Sequence, residues 1–256
     1  MFNNSPRVGS TADSEAAETA AAENQGLPTI VLVHGAWADS SSWEPVINEL
    51  LHAGFPVRAV ANPLRGVEHD TAYLASYLAA IEGPVVLVGH SYGGAIITNV
   101  DTSAFDVRAL VYIAAFIPVA GETVGQLAAQ SSTPLPLVTV ETPGGPEVHI
   151  SPEGFREAFA ADVDQRTAGV LGIVQRPANV RAVAEPISRE AFRTVPAYVL
   201  VTTADRAIDP DVQRMMAHRT GAAVVEVEAS HAVMVSLPST VAGLILQAAT
   251  SAVTVR

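Results

Sequence analysis

The sequence predicts an α/β fold: a doubly wound, mostly parallel sheet with helices on both faces and an inserted helical cap. Three observations carry that prediction. Short continuous apolar runs, such as Thr29-Ile30-Val31-Leu32-Val33, suit strands buried on both faces, and they alternate with stretches of helical periodicity. The alternation breaks once, for about eighty residues after Phe116, an interval too long for a structureless loop in a compact domain. A Gly-x-Ser-x-Gly pentapeptide falls at a strand-to-helix junction, Gly89-His90-Ser91-Tyr92-Gly93.

The elements follow in order. The Thr29–Val33 run ends at His34-Gly35, and an amphipathic stretch over Ser42–Ala53 places Trp43, Val46, Ile47, Leu50 and Leu51 on one side. Phe55–Ala61 reads as a second strand, and Thr71–Ile81 carries Tyr73, Leu74, Tyr77 and Leu78 at helical spacing. Pro84–Gly89 is a third strand, and Tyr92–Val100 is small and apolar enough for a buried helix. Strands are expected at Ala109–Phe116, Pro196–Thr202 and Ala222–Val227, with helices over Pro210–Arg219 and Pro238–Ala249. The core therefore divides into 27–116 and 186–256, with a helical cap over about 117–185. Residues 1–26 read as a mobile acidic tail with a nascent helix over Ser14–Glu23.

Composition narrows the chemistry. The chain has 256 residues, 49% of them apolar and 16% charged, which suits one domain with a sizeable core. A formal net charge of -12 offers no electrostatic footprint for nucleic acid or an anionic membrane. There is no cysteine, which excludes a thiol nucleophile, a disulfide and a Cys-based metal site. All 14 basic residues are Arg, which excludes lysine Schiff-base chemistry, a phosphate-loop lysine and a Ser–Lys dyad. No run is long enough to span a membrane, and the start of the chain has no basic segment followed by an apolar block. A cytoplasmic monomer or homodimer is the resulting expectation.

The pentapeptide has the form of a nucleophile elbow, where glycines let the turn pass close to the neighbouring strand and helix. It would present Ser91 at the carboxyl edge of the sheet, with the following helix aiming free N–H groups at developing negative charge. A serine hydroxyl needs a base, and the base needs a fixed tautomer. In sheets that carry such an elbow the chain order is Ser, acid, His. His231 follows the last strand in Glu228-Ala229-Ser230-His231-Ala232, whereas His218 falls within a helix. Asp205 sits in the loop after the fifth strand. Its neighbour Asp209 precedes Pro210 and reads as a helix N-cap, with Asp211 in the first turn. Oxyanion donors are expected at the backbone N–H groups of Tyr92 and Ala36, with His34 ordering the latter's loop. The expected chemistry is acyl transfer whose rate falls as His231 protonates.

From Leu27 onward the chain resembles the α/β-hydrolase subgroup of plant methyl-salicylate-type esterases, hydroxynitrile lyases and related bacterial esterases. The resemblance rests on His34-Gly35-Ala36 with Trp43 a short way on, Gly89-His90-Ser91-Tyr92-Gly93-Gly94, Ala114-Ala115-Phe116-Ile117-Pro118, and Ser230-His231-Ala232-Val233-Met234. The cap matches only loosely. The resemblance implies the α/β-hydrolase fold, a lidded pocket for small, often aromatic esters, and no cofactor or metal. Lyases of the subgroup carry a Thr where this chain has Gly35 and a Lys directly after the histidine, where it has Ala232, so the esterase branch is favoured. A lyase, a cofactor-free perhydrolase and a non-catalytic small-molecule receptor are the rival readings. Trp37, Tyr92, Phe116 and Met234, with Phe155 and Phe159 behind them, are candidates to line the substrate pocket. The cap arginines Arg156, Arg166, Arg176 and Arg181 are expected to be a solvated surface.

Overall fold

In the computed structural model, which describes residues 26–254, the chain enters β1 (Thr29–Val33), a 3-10 turn (Ser40–Trp43), α1 (Glu44–His52), β2 (Val57–Val60) and α2 (Val67–Leu78). β3 (Val85–His90), α3 (Tyr92–Thr98) and β4 (Val107–Ile113) follow. The interval after β4 holds α4 (Val124–Ala128), β5 (Leu137–Val140), β6 (Glu147–Ile150), α5 (Pro152–Phe159), α6 (Gln165–Val174), β7 (Ala178–Asn179) and α7 (Arg181–Ala184). β8 (Ala197–Thr202), α8 (Pro210–His218), β9 (Ala223–Val227), α9 (Val233–Ser236) and α10 (Pro238–Thr254) return to the core.

The main sheet runs β2-β1-β3-β4-β8-β9, and every neighbouring pair is parallel. The apolar runs are continuous because alternate residues fill two cores. Val31, Val33 and Leu87 pack with α2, α3 and α8 on one face. Ile30, Leu32, Val86 and Val88 pack with Trp43, α1 and α10 on the other. The chain moves outward from β1 to β2 and then returns past β1 to β3. That reversal opens a crevice beyond the carboxyl ends of β1 and β3, where Val33 is in register with Gly89. No helix among the described residues is long and apolar enough to cross a membrane.

Three sequence expectations need adjustment. The cap is mixed rather than wholly helical, because β5, β6 and β7 form an antiparallel sheet within it. Its strands are too short to show a pattern, and all of β5 is exposed, so no alternating stripe marks it. The helix expected from Thr71 begins at Val67, after Gly66 at φ 143; its first turn carries Glu68 and Asp70 and hides the apolar period. The strand expected to reach Phe116 stops at Ile113, where Ala114 turns at φ 43. The tail and its nascent helix lie outside the described residues.

Candidate active site

β3 ends at His90 and α3 begins at Tyr92, so one residue makes the whole turn. Ser91 does so at φ 53, ψ -124, a region disfavoured for any residue with a Cβ. The surroundings over-determine it. Ser91 donates its N–H to the Ile113 carbonyl at 3.3 Å, and its own carbonyl accepts from Gly94 and Phe116, each at 3.0 Å. The glycines serve close approach. A Cβ on Gly89 would stand 2.6 Å from the Gly93 carbonyl oxygen, and one on Gly93 would overlap the Val33 carbonyl. Gly35 lies against Ser91 itself, since a Cβ there would stand 2.5 Å from Ser91 Cβ.

The loops after β8 and β9 bring Asp205 and His231 together. His231 is fully buried, and its Nδ1–H donates to Asp205 Oδ2 at 2.8 Å. That bond leaves Nε2 as the acceptor nitrogen; it is buried and has no hydrogen-bond partner among the described residues. Asp205 Oδ2 also accepts from Thr202 Oγ1 and Gln213 Nε2, both at 2.8 Å. Its Oδ1 accepts from the Ala207 and Ile208 N–H groups at 2.8 and 2.9 Å. The rival carboxylates are otherwise engaged. Asp209 caps α8 through the Asp211 N–H, Asp211 pairs with Arg214, and Arg206 pairs with Glu157 rather than Asp205. His218 closes α8 on an exposed position.

Two further buried histidines flank the site. His90 precedes Ser91, and its ring centroid lies 4.7 Å from that of His231. Its Nε2–H donates to the His231 carbonyl at 3.0 Å. Burial, reinforced by neighbouring His231, pushes His90 well below the ordinary histidine range. Burial likewise lowers His34 to about 4. His34 Nδ1–H donates to the Gly35 carbonyl at 2.9 Å, and its own carbonyl accepts from Asn62 at 3.1 Å, so it orders the loop ahead of Ala36. Both rings are buried and bonded to backbone carbonyls.

The Ala36 N–H makes no hydrogen bond among the described residues. Tyr92 opens α3, where N–H groups lack an intrahelical partner. Trp37 ties the Ala36 loop to the cap: its N–H donates to the Arg176 carbonyl at 3.2 Å, its indole N–H to the Val148 carbonyl at 3.0 Å, and its φ is 60. Ser91 opens on an apolar cavity of about 50 Å³ bordered by Ala36, Trp37, Tyr92 and Phe116, with cap residues Val148 and Val183 above. Tyr92 anchors its hydroxyl on Asp70 at 3.0 Å; burial and that carboxylate push the phenol well above its usual range. Met234 departs from expectation. It packs in the core with Trp43 and borders a second, narrow crevice together with Phe155 and Phe159. Phe159 meets the His231 ring edge-on at 4.7 Å. Gln213 and Thr202 were not foreseen; the one available signal was a polar residue amid the buried stripe Val212, Met216 and Ala217 of α8.

An elbow of this kind, at the centre of a parallel sheet, defines a class of α/β proteins that present a serine over the sheet's carboxyl edge. Within that class this chain belongs to the alpha/beta hydrolase family, whose profile matches residues 30–244. A carbendazim-hydrolysing esterase of Nocardioides sp. is 31% identical over 121 residues, 42% of this chain. The match spans 50% of that relative's length. Among solved structures, a pyrethroid hydrolase of Sphingobium faniae is 25% identical with a TM-score of 0.73, covering 88% of this chain and 98% of its own. A methylesterase of Arabidopsis shares the fold at 22% identity and a TM-score of 0.73, over 88% and 100% of the two chains. So does an extracellular α/β-hydrolase of a Paenibacillus species, at 20% identity and 0.71, over 87% and 99%.

Proposed function

We propose that the protein hydrolyses small, largely apolar carboxylic esters through Ser91, His231 and Asp205. The observation that carries this reading is the buried His231–Asp205 pair. Its Nε2 is buried without a hydrogen-bond partner among the described residues, and its ring lies against His90, which precedes the elbow serine. The esterase and hydrolase names of the relatives support the same class of reaction.

Ser91 Oγ attacks the ester carbonyl carbon while its proton passes to His231 Nε2. The oxygen that becomes negative is held by the Ala36 and Tyr92 N–H groups. Asp205 accepts from the Nδ1–H and stabilises the imidazolium. Collapse breaks the bond to the alcohol oxygen, which takes the proton from Nε2, leaving an acyl group on Ser91. Water then attacks, gives its proton to Nε2, and the acid departs as Ser91 Oγ is reprotonated. The apolar cavity favours apolar acyl or alcohol groups. The cavity is about 50 Å³ and is closed above by cap residues Val148 and Val183, which suits small esters.

The test is a panel of p-nitrophenyl and methyl aryl esters of graded acyl length, run beside a fluorophosphonate probe read by intact mass. One adduct, located on Ser91, and loss of turnover and adduct in Ser91→Ala are expected. Full turnover by Ser91→Ala refutes the assignment. Tight ester binding with neither turnover nor adduct points instead to a receptor.

A further inference from the structure

The loop that carries His231 is tied to the cap on both sides of the histidine. Ser230 donates its backbone N–H to Asp162 Oδ2 at 3.1 Å, and its hydroxyl donates to Asp162 Oδ1. Ala232 donates its N–H to the Phe159 carbonyl at 2.9 Å. Phe159 ends α5, and Asp162 lies in the turn just beyond it. The nucleophile differs. Ser91 is fixed by Ile113, Gly94 and Phe116, all outside the cap strands and helices. The base is thus held by cap contacts that the serine does not need, beside the bond its carbonyl accepts from His90 of β3.

We propose that Asp162 is a positioning residue for His231, its carboxylate fixing Ser230 and so holding the imidazole between Asp205 and Ser91. This rests on the hydrolase reading above. The chemistry favours a carboxylate. Ser230 presents two donors, N–H and O–H, and two acceptor oxygens at Asp162 meet them; an amide offers one oxygen and turns an NH₂ toward the other donor. Burial raises the Asp162 pKa, but hydrogen bonds, those of Ser230 first and then of Ser236, outweigh it and hold the group below its ordinary value. Asp162 is exposed whereas Ser230 is buried, so the contact orders a loop rather than filling the core. The Asp205 bond fixes one ring nitrogen only; the backbone at 231 must be held for Nε2 to reach the serine.

The test compares full-length wild type with Asp162→Asn, Ser230→Ala and Asp205→Asn. The substrate is p-nitrophenyl acetate, and the second readout is the downfield proton resonance of the His231–Asp205 bond, assigned by its absence in Asp205→Asn. Asp162→Asn is expected to lower kcat about tenfold with KM within about twofold, less than the loss typical of a full ångström of misplacement. The resonance should broaden or vanish in that variant, and Ser230→Ala should lie between it and wild type. Wild-type kcat and an intact resonance in Asp162→Asn overturn the proposal. A raised KM with kcat and resonance unchanged also overturns it, by placing the carboxylate on the substrate path instead. If Asp162→Asn does not fold, Ser230→Ala with wild-type kcat and resonance overturns it alone. Failure of the hydrolase reading is seen separately, as wild type that neither turns over esters nor takes the fluorophosphonate.

Discussion

At the scale of the residue, Asp205 is the most heavily hydrogen-bonded group beside His231. Its two oxygens accept from His231, Thr202, Gln213, Ala207 and Ile208, so the carboxylate has one orientation and the imidazole one tautomer. Asp205→Asn is therefore expected to lose roughly 10³–10⁴ in kcat, because an amide in that place favours the wrong tautomer, and to lose some stability, because its NH₂ faces buried donors from which the second carboxylate oxygen accepts. Steady-state kinetics beside a circular dichroism melt checks this. Gln213 supports the same carboxylate, and it also donates to the Ile208 carbonyl and accepts from the Thr202 N–H. Gln213→Leu should lower stability by about 1–3 kcal/mol in urea, since it strands buried polar groups. The elbow at Ser91 and the meeting of Asp205 with His231 were legible because glycine spacing and strand ends mark them. Gln213 was not, because its partners lie across the β8–α8 loop and its importance is their burial.

At the scale of the element, the elbow is a place where three backbones nearly touch. Gly93→Ala drives a Cβ into the Val33 carbonyl and close to that of His34, neither of which can rotate aside. Loss of both thermal stability and activity is expected, where a Gly→Ala change in an open helix would be neutral or better. The cap reaches the site through Trp37, whose indole N–H meets the Val148 carbonyl in β6. Trp37→Phe keeps a ring in the cavity wall and removes that bond, worth about 0.5–1.5 kcal/mol. A fall of up to roughly tenfold in kcat/KM, with a drop in melting temperature of only a few degrees, is the expected outcome. The core strands were legible from run length. β5, β6 and β7 were not, because strands so short and so exposed leave no periodic trace and exist only through their pairing.

At the scale of the whole molecule, the buried histidines set a limit on acid stability. His34 has its pKa lowered from 6.5 to about 4, and His90 is lowered well below the same reference. Between those values the unfolded chain binds protons that the folded chain refuses. The neutral-histidine contribution is complete above about 6.5 and is lost as pH falls toward 4, a change of about 3 kcal/mol for His34 alone. The urea midpoint should fall steadily across that window, and His34→Asn should flatten the slope. A midpoint that holds steady down to pH 4 would contradict the burial assigned to these rings.

What the sequence determined by itself is what local pattern can encode. Runs of Val, Ile and Leu specify strands covered on both faces, glycine spacing specifies the elbow at Ser91, and the order of strand ends selects Asp205 and His231. The tertiary structure alone decided which distant surfaces meet. Met234 stands three residues from His231, yet the turn of α9 sends it into the core beside Trp43 and away from the serine cavity. Asp162 lies far from Ser230 in the chain, yet the turn that follows α5 delivers it there. The physical reason is the same in both cases. A helix rotates about 100° per residue, so proximity in sequence does not fix the direction of a side chain, and the seat of the cap is set by packing that no single segment contains.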